Sequence, residues 1–174
     1  MRFVYVNPAT SNNDWETCPP LGLAYLLARV NSEAPDIVQQ VIDFTVDPTA
    51  PDLFHNLVLN DPPNAVFITF MTPQAPAAFS LTHQIRARWG RCVMIIHGGC
   101  HATPRPRESL RAGADAVVLR EGEDVMLELA SIASAEPMRR HGLLNQVHGL
   151  AVLNTLGEAA SKHSRPLNPD PVMN

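Results

Sequence analysis

The sequence predicts an α/β protein: a single-domain, Rossmann-like (flavodoxin-like) parallel sheet with helices on both faces. Three observations carry that expectation. Short runs of β-branched and aromatic residues alternate along the chain with runs of helical periodicity, the signature of successive βα units. Two of the strand-like runs, NAVFITFM and CVMIIHGG, are almost continuously apolar, as strands covered on both faces are. The chain is 174 residues long and 45% hydrophobic, which is one domain's length with a core to match.

Each element has its own warrant. RFVYVN (Arg2 to Asn7) is a first strand ended by Asn7-Pro8. A loop from Ala9 to Pro20 follows, and its length is more typical of a functional connection than of a tight βα turn. Leu23, Leu26, Leu27 and Val30 form the i, i+3, i+4, i+7 stripe of a core-facing helix. IVQQVIDF (Ile37 to Phe44) is a second strand, and Leu53, Leu57 and Val58 mark a short helical piece after Pro48 and Pro51. After the third strand (Asn64 to Met71), Ala78, Leu81, Ile85 and Trp89 define a helix from Pro73 to Trp89, stopped by Gly90. CVMIIHGG is the fourth strand, Pro104 to Ala112 a short helix stopped by Gly113, and AVVLRE (Ala116 to Glu121) the fifth strand. Asp124 to Ser134 is a helix with acids suited to its N-terminus, and VHGLAVLN (Val147 to Asn154) a last strand. A strand order of 2-1-3-4-5 is expected. Residues 1–157 form the domain, and 158–174 a polar, Pro-rich tail.

Composition excludes several functions. A net charge of −4 provides no basic footprint, so no nucleic-acid partner is expected. No apolar run reaches the ~18 residues of a membrane span. Cys18, Cys92 and Cys100 are an odd number in a chain that needs no staples, and they read as reduced thiols of a cytoplasmic protein.

The chemistry concentrates between Val93 and Glu123. Gly98-Gly99 follows the fourth strand, and Gly122 lies between acids after the fifth, so two neighbouring strand ends carry small residues where an open parallel sheet binds ligands. Taken separately, each glycine is equally explained by turn chemistry. No G-x-G-x-x-G or Walker-type loop occurs, and the loop after the first strand (NPATSNN) holds no glycine, which argues against dinucleotides. Strand three ends in Thr69, Met71 and Thr72, with no Asp to accept a phosphoryl group. Thr10, Ser11 and Asn12 leave a flavin phosphate site as a minor reading. A protein-only metal site from Cys18, His97, Cys100 and His101 is another, and Cys100 as a nucleophile lacks an orienting partner. No catalytic residue is assigned.

CPPLGLAYLLA (Cys18 to Ala28), VIDF (Val41 to Phe44), GGCHATPRPRESL (Gly98 to Leu110), GADAVVLREGED (Gly113 to Asp124) and HGLAV (His148 to Val152) together resemble the cobalamin-binding domain of class B radical S-adenosylmethionine enzymes. Cys100 stands where that family usually has Pro. The resemblance implies a base-off cobalamin across the C-terminal ends of the strands. Gly98, Gly99, His101 and Ala102, with Cys100 among them, would line the corrinoid and its nucleotide tail. Glu121, Gly122 and Glu123 would border the ring, with Thr69 and Thr72 beneath it and the 9–20 loop beside it. The D-x-H-x-x-G motif that supplies a lower-face histidine in methyltransferases and mutases is absent, its place reading Asn7-Pro8-Ala9-Thr10. His97 or His101 is left as a weaker substitute ligand.

The cluster-binding C-x-x-x-C-x-x-C of the radical enzymes is absent too, so no iron–sulfur cluster is expected here, and RPLNPDPV (Arg165 to Val172) resembles the start of their interdomain linker. The resemblance therefore implies a module without radical activity of its own. It would hold cobalamin as methyl carrier or redox component for a separate radical S-adenosylmethionine partner in a methyltransferase-type system. A cobalamin- or tetrapyrrole-sensing regulatory module and a degenerate scaffold without cofactor are the alternatives. Oligomeric state is not legible.

Overall fold

A computed structural model describes residues 1–10, 20–154 and 158–161. One seven-stranded sheet forms its centre, in the order β2-β1-β3-β4-β5-β6-β7. The strands are β1 (Arg2–Asn7), β2 (Val38–Asp43), β3 (Ala65–Thr69), β4 (Met94–Gly98), β5 (Ala116–Val118), β6 (Leu150–Leu153) and β7 (Ala159–Ser161). β1 to β5 are parallel and follow the expected order. Because β1 lies between β2 and β3, the chain leaves β1 in one direction across the sheet and returns past it in the other. The C-terminal ends of β1 and β3 therefore flank the topological switch point, where open α/β sheets bind ligands.

Burial alternates along the strands as the pleat requires. Phe3, Tyr5, Phe67, Met94, Ile96, Ala116 and Val118 face one side, where they meet α1 (Leu21–Glu33), α5 (Met126–Ala133) and α6 (Pro137–Leu144). Val4, Val6, Val66, Ile68, Ile95 and Val117 face the other, under α2 (Ala50–Phe54), α3 (Ala75–Trp89) and α4 (Pro106–Arg111). Phe67 anchors the first layer, with ring centroids 5.1 Å from both Phe3 and Tyr5. The helical piece after Pro51 continues past α2 as a π-helical turn from His55 to Asn60, which brings Val58 into the core.

The far side of the sheet departs from expectation. β6 runs antiparallel to β5, and β7 antiparallel to β6. The cause is α6, which the sequence pattern did not reveal. One helix after β5 would return the chain to the start of a new parallel strand; α5 and α6 together take it there and back, so β6 must enter from the opposite end. The helix PMRRHGLL escapes notice because the residues it buries are Arg140 and Leu144. The Arg140 guanidinium replaces an apolar knob by donating to three backbone carbonyls, those of Ala133 (3.0 Å), Ala135 (3.0 Å) and Cys92 (2.8 Å). β7 likewise falls in the stretch expected as tail: Asn154 and Glu158 close the hairpin, Asn154 N–H donating to the Glu158 carbonyl at 2.7 Å.

The start of β5 is held by charge. Asp115 accepts from Arg86 and from the Ile95 N–H, at 2.6 and 2.8 Å, and pairs with Arg91. At its other end β5 stops at Val118, short of the expected Glu121, because Arg120 turns into the left-handed region (φ 69°) and Leu119 N–H donates to Gly149.

Two substitutions test this account by chemical denaturation. Phe67→Ala is expected to cost about 3–5 kcal/mol, the range for deleting a buried aromatic. Arg140→Ala is expected to cost about 1–3 kcal/mol by leaving its carbonyls without donors. A loss below 0.5 kcal/mol would contradict the role given to α6.

Candidate functional site

The ends of β1, β3 and β4 form a ledge built from backbone. At its β1 side, Gln74 is buried at 3% exposure and acts as a strut. Its amide N–H groups donate to Asn7 Oδ1 (2.9 Å) and the Pro8 carbonyl (2.7 Å), and its carbonyl accepts from Met71 N–H (2.9 Å). Asn7 in turn donates to Asp43 Oδ1 at 3.0 Å. The strut thus fixes the tip of β1, the tip of β2 and the segment after β3 relative to one another. Nothing in the sequence pattern singles out Gln74 or Asn7, since each is an isolated polar residue whose partner is tens of residues away.

Next to the strut, Thr69 and Gly98 are register partners at the ends of β3 and β4. The chain then folds tightly across Phe70. Phe70 N–H donates to the Gly98 carbonyl (3.2 Å), and His101 N–H donates to the Phe70 carbonyl (3.3 Å). Gly99 makes this closure possible. Its φ is +94°, and a Cβ there would stand 2.8 Å from Thr69 Oγ1 and 2.9 Å from the Phe70 backbone. Gly98 differs: a Cβ would meet nothing nearer than Val118 Cβ at 3.9 Å. Gly98 is therefore the glycine that leaves open surface on the ledge, whereas Gly99 is required by the fold itself. Gly122 resembles Gly99, since its Cβ would press on Leu26 of α1 at 3.1 Å and on Val118 at 3.3 Å.

The remaining site residues separate by burial. Thr72 and Cys100 are exposed at the ledge, and Glu121 is exposed beyond β5, with Glu123 half-buried next to Gly122. Ala102 has no exposed surface and belongs to the core beside α3 and α4. The loop residues Ser11, Asn12 and Cys18, and the linker-like Arg165 to Val172, lie outside the described residues.

Both histidines of HGGCH are buried and hydrogen-bonded, His97 through one ring nitrogen and His101 through both. His97 is fully buried and packs against Phe70 and Phe79. Thr82 spends its hydroxyl proton on the Ala78 carbonyl (2.8 Å), so it accepts from His97 Nε2–H, also 2.8 Å away. His97 Nδ1 is left buried without a partner. Burial, with the Arg86 charge nearby, pushes the His97 pKa down to about 3. His101 is 4% exposed, with Nδ1 3.2 Å from Thr72 Oγ1 and Nε2 3.2 Å from Glu108 Oε2. Among the described residues, no three of His, Cys, Asp and Glu converge as a metal site would require. One further histidine, His148, is exposed at the same edge of the sheet beyond β5, next to the Gly149 that caps Leu119. No helix among the described residues is long and apolar enough to cross a membrane.

A βα sheet with its switch point between β1 and β3, and a ledge at the ends of β3 and β4, defines a ligand-binding module of the Rossmann-like class. Its family follows from the sequence: residues 12–130 match the B12 binding domain, and the chain belongs to that family. Solved structures share the fold. The cobalamin-dependent S-adenosylmethionine radical enzyme OxsB, with aqua-cobalamin and S-adenosylmethionine bound, superposes with a TM-score of 0.74 at 18% identity, over 96% of this chain and 22% of that one. OxsB with aqua-cobalamin alone superposes with the same TM-score over 23% of its chain, and its apo form with 0.68. This chain thus spans between a fifth and a quarter of OxsB. No curated protein matches it significantly in sequence.

The glycines and His97 lead to two expectations. Gly99→Ala should destabilise the fold by about 1–3 kcal/mol through backbone strain, while Gly98→Ala should be neutral to within ~0.5 kcal/mol; denaturant midpoints distinguish them. A His neutral in the fold but protonated near pH 6.5 when unfolded leaves the unfolded state holding more protons, so its stabilising contribution falls as pH drops from about 6.5 towards 3. The slope approaches ~1.4 kcal/mol per pH unit. His97→Leu should lack that slope, so the difference in stability between wild type and variant should itself change with pH by this amount, measured by urea denaturation from pH 7 to pH 4.

Proposed function

We propose that the chain is a cobalamin carrier that holds the corrinoid base-off and His-off over the ends of β3 and β4. The observation that carries this reading is the open ledge at Gly98, beside the switch point of a B12 binding domain. Thr69, Thr72, Gly98 and Cys100 would meet the ring or its tail, and Glu121 to Glu123 its far border. Gly99 and Gly122 act indirectly, by letting the backbone and α1 come close enough to form that surface. His97 is walled in by Phe70 and Phe79, and His101 is bonded through both nitrogens, so neither offers a lone pair to cobalt. This supports the His-off state.

Cobalamin, when bound, supplies a cobalt centre able to carry a methyl group or exchange electrons. The chain's own contribution is orientation and exclusion of water from one face. The three cysteines are too widely spaced to hold a radical enzyme's cluster. The radical step would belong to an S-adenosylmethionine radical site outside these residues, for which this module would be the methyl or redox component.

The reading is tested by adding hydroxocobalamin and separating free from bound corrinoid by gel filtration, followed by the absorption spectrum. Stoichiometric retention with a base-off spectrum is expected, and Gly98→Leu should abolish it without loss of fold. Folded protein that retains no corrinoid refutes the proposal. A His-on spectrum that His148→Ala removes would overturn the His-off state.

A further inference from the structure

One polar chain on the ledge has a direction. Glu108, on α4, receives Arg105 at Oε1 and His101 at Oε2, each at 3.2 Å. Some desolvation pushes the pKa of this exposed carboxyl up, but the hydrogen bonds and charges of Arg105 and His101 outweigh this and hold it below the ordinary value. An ionised carboxylate only accepts, so a His101 ring with a single proton carries it on Nε2. Nδ1 is then a bare acceptor, and the hydrogen bond at 3.2 Å to Thr72 Oγ1 requires the Thr72 hydroxyl to donate inward. The hydroxyl's rotor is spent. What Thr72 presents at the exposed surface of the ledge is a pair of oxygen lone pairs and no proton. A free threonine would satisfy a donor or an acceptor equally well; this one is fixed as an acceptor. His101, buried at 4% exposure and packed between Phe70 and Phe79, has little room to rotate and undo the arrangement.

We infer that Thr72 is a specificity-determining acceptor for a primary carboxamide N–H on the rim of the bound ligand, with Glu108 and His101 as the positioning residues that set its polarity. The inference rests on the cobalamin reading above and deepens it. Corrinoids carry carboxamide side chains around the ring, and these are N–H donors. A carboxylate in the same place offers no proton at neutral pH and would set negative charge against the Thr72 lone pairs.

The experiment compares hydroxocobalamin with its b-, d- and e-monocarboxylic acids, in each of which one propionamide has become a carboxylate. Wild-type protein is expected to bind one of the three acids at least about tenfold more weakly than hydroxocobalamin. Thr72→Val should bind hydroxocobalamin about three- to tenfold more weakly, the loss of one hydrogen bond, and should no longer discriminate against that acid. Thr72→Ser should restore both affinity and discrimination. In ligand-free protein, nitrogen-15 NMR should find His101 protonated at Nε2, and Glu108→Ala should lose that preference together with the discrimination. Equal affinity for all three acids in wild type, unchanged discrimination in Thr72→Val, or an Nδ1–H tautomer at His101 overturns the inference while leaving cobalamin binding intact. Failure of wild-type protein to retain hydroxocobalamin overturns the carrier reading and this inference with it, whereas the NMR result reports on the residue chain independently.

Discussion

The closure of the chain over Phe70 is the contact on which the site depends. Phe70 donates to Gly98 and accepts from His101, and Gly99 passes so close to its backbone that no side chain fits between. Through that one crossing, the end of β3 and the turn after β4 become a single rigid body. Thr69 is set beside Gly98, and His101 is inserted beneath Thr72 from a residue 29 positions away in the chain. A Cβ at position 99 would push these groups apart by more than the tolerance of a hydrogen bond. Local backbone geometry and ligand surface are thus one construction.

Around that crossing, buried polar groups do work that apolar residues do elsewhere in the sheet. Gln74 spans from β1 to the segment after β3, Arg140 ties α6 to the loops around it, and Asp115 gathers Arg86, Arg91 and the Ile95 N–H at the start of β5. Each would be costly to bury unpaired, and each satisfies backbone groups that would otherwise be orphaned. The two edges of the sheet contrast in consequence. The N-terminal edge is held by ionic contacts with arginines. The C-terminal edge is held by the Asn7 and Gln74 amides with Asp43, and by the close approach of Gly99 to Phe70.

Much of the scaffold could be read from pattern. The near-continuous apolar runs of β3 and β4 and the leucine stripe of α1 are local signals, and the order of the first five strands follows from alternating βα units. The polar machinery could not be read so. Gln74, Glu108 and Arg140 are unremarkable in sequence, because what distinguishes them is a partner brought near by folding. Ala102 errs the other way: it belongs to a conspicuous motif, yet it is core without exposed surface. The glycine motif mixes two roles, open surface at Gly98 and backbone closure at Gly99, which only the surrounding atoms distinguish.

The sequence by itself determined the α/β class, the strand order from β2 to β5 and membership of the B12 binding domain family, since periodicity and ordered motifs are properties of the chain alone. Tertiary structure decided that β6 and β7 run antiparallel, because α6 reverses the chain on the strength of an arginine's hydrogen bonds and not an apolar stripe. It also decided that both histidines of HGGCH face inward, committed to Thr82, Thr72 and Glu108. A hydrogen bond's direction depends on what its partner has already given away, and that is knowable only once the partners have been brought together.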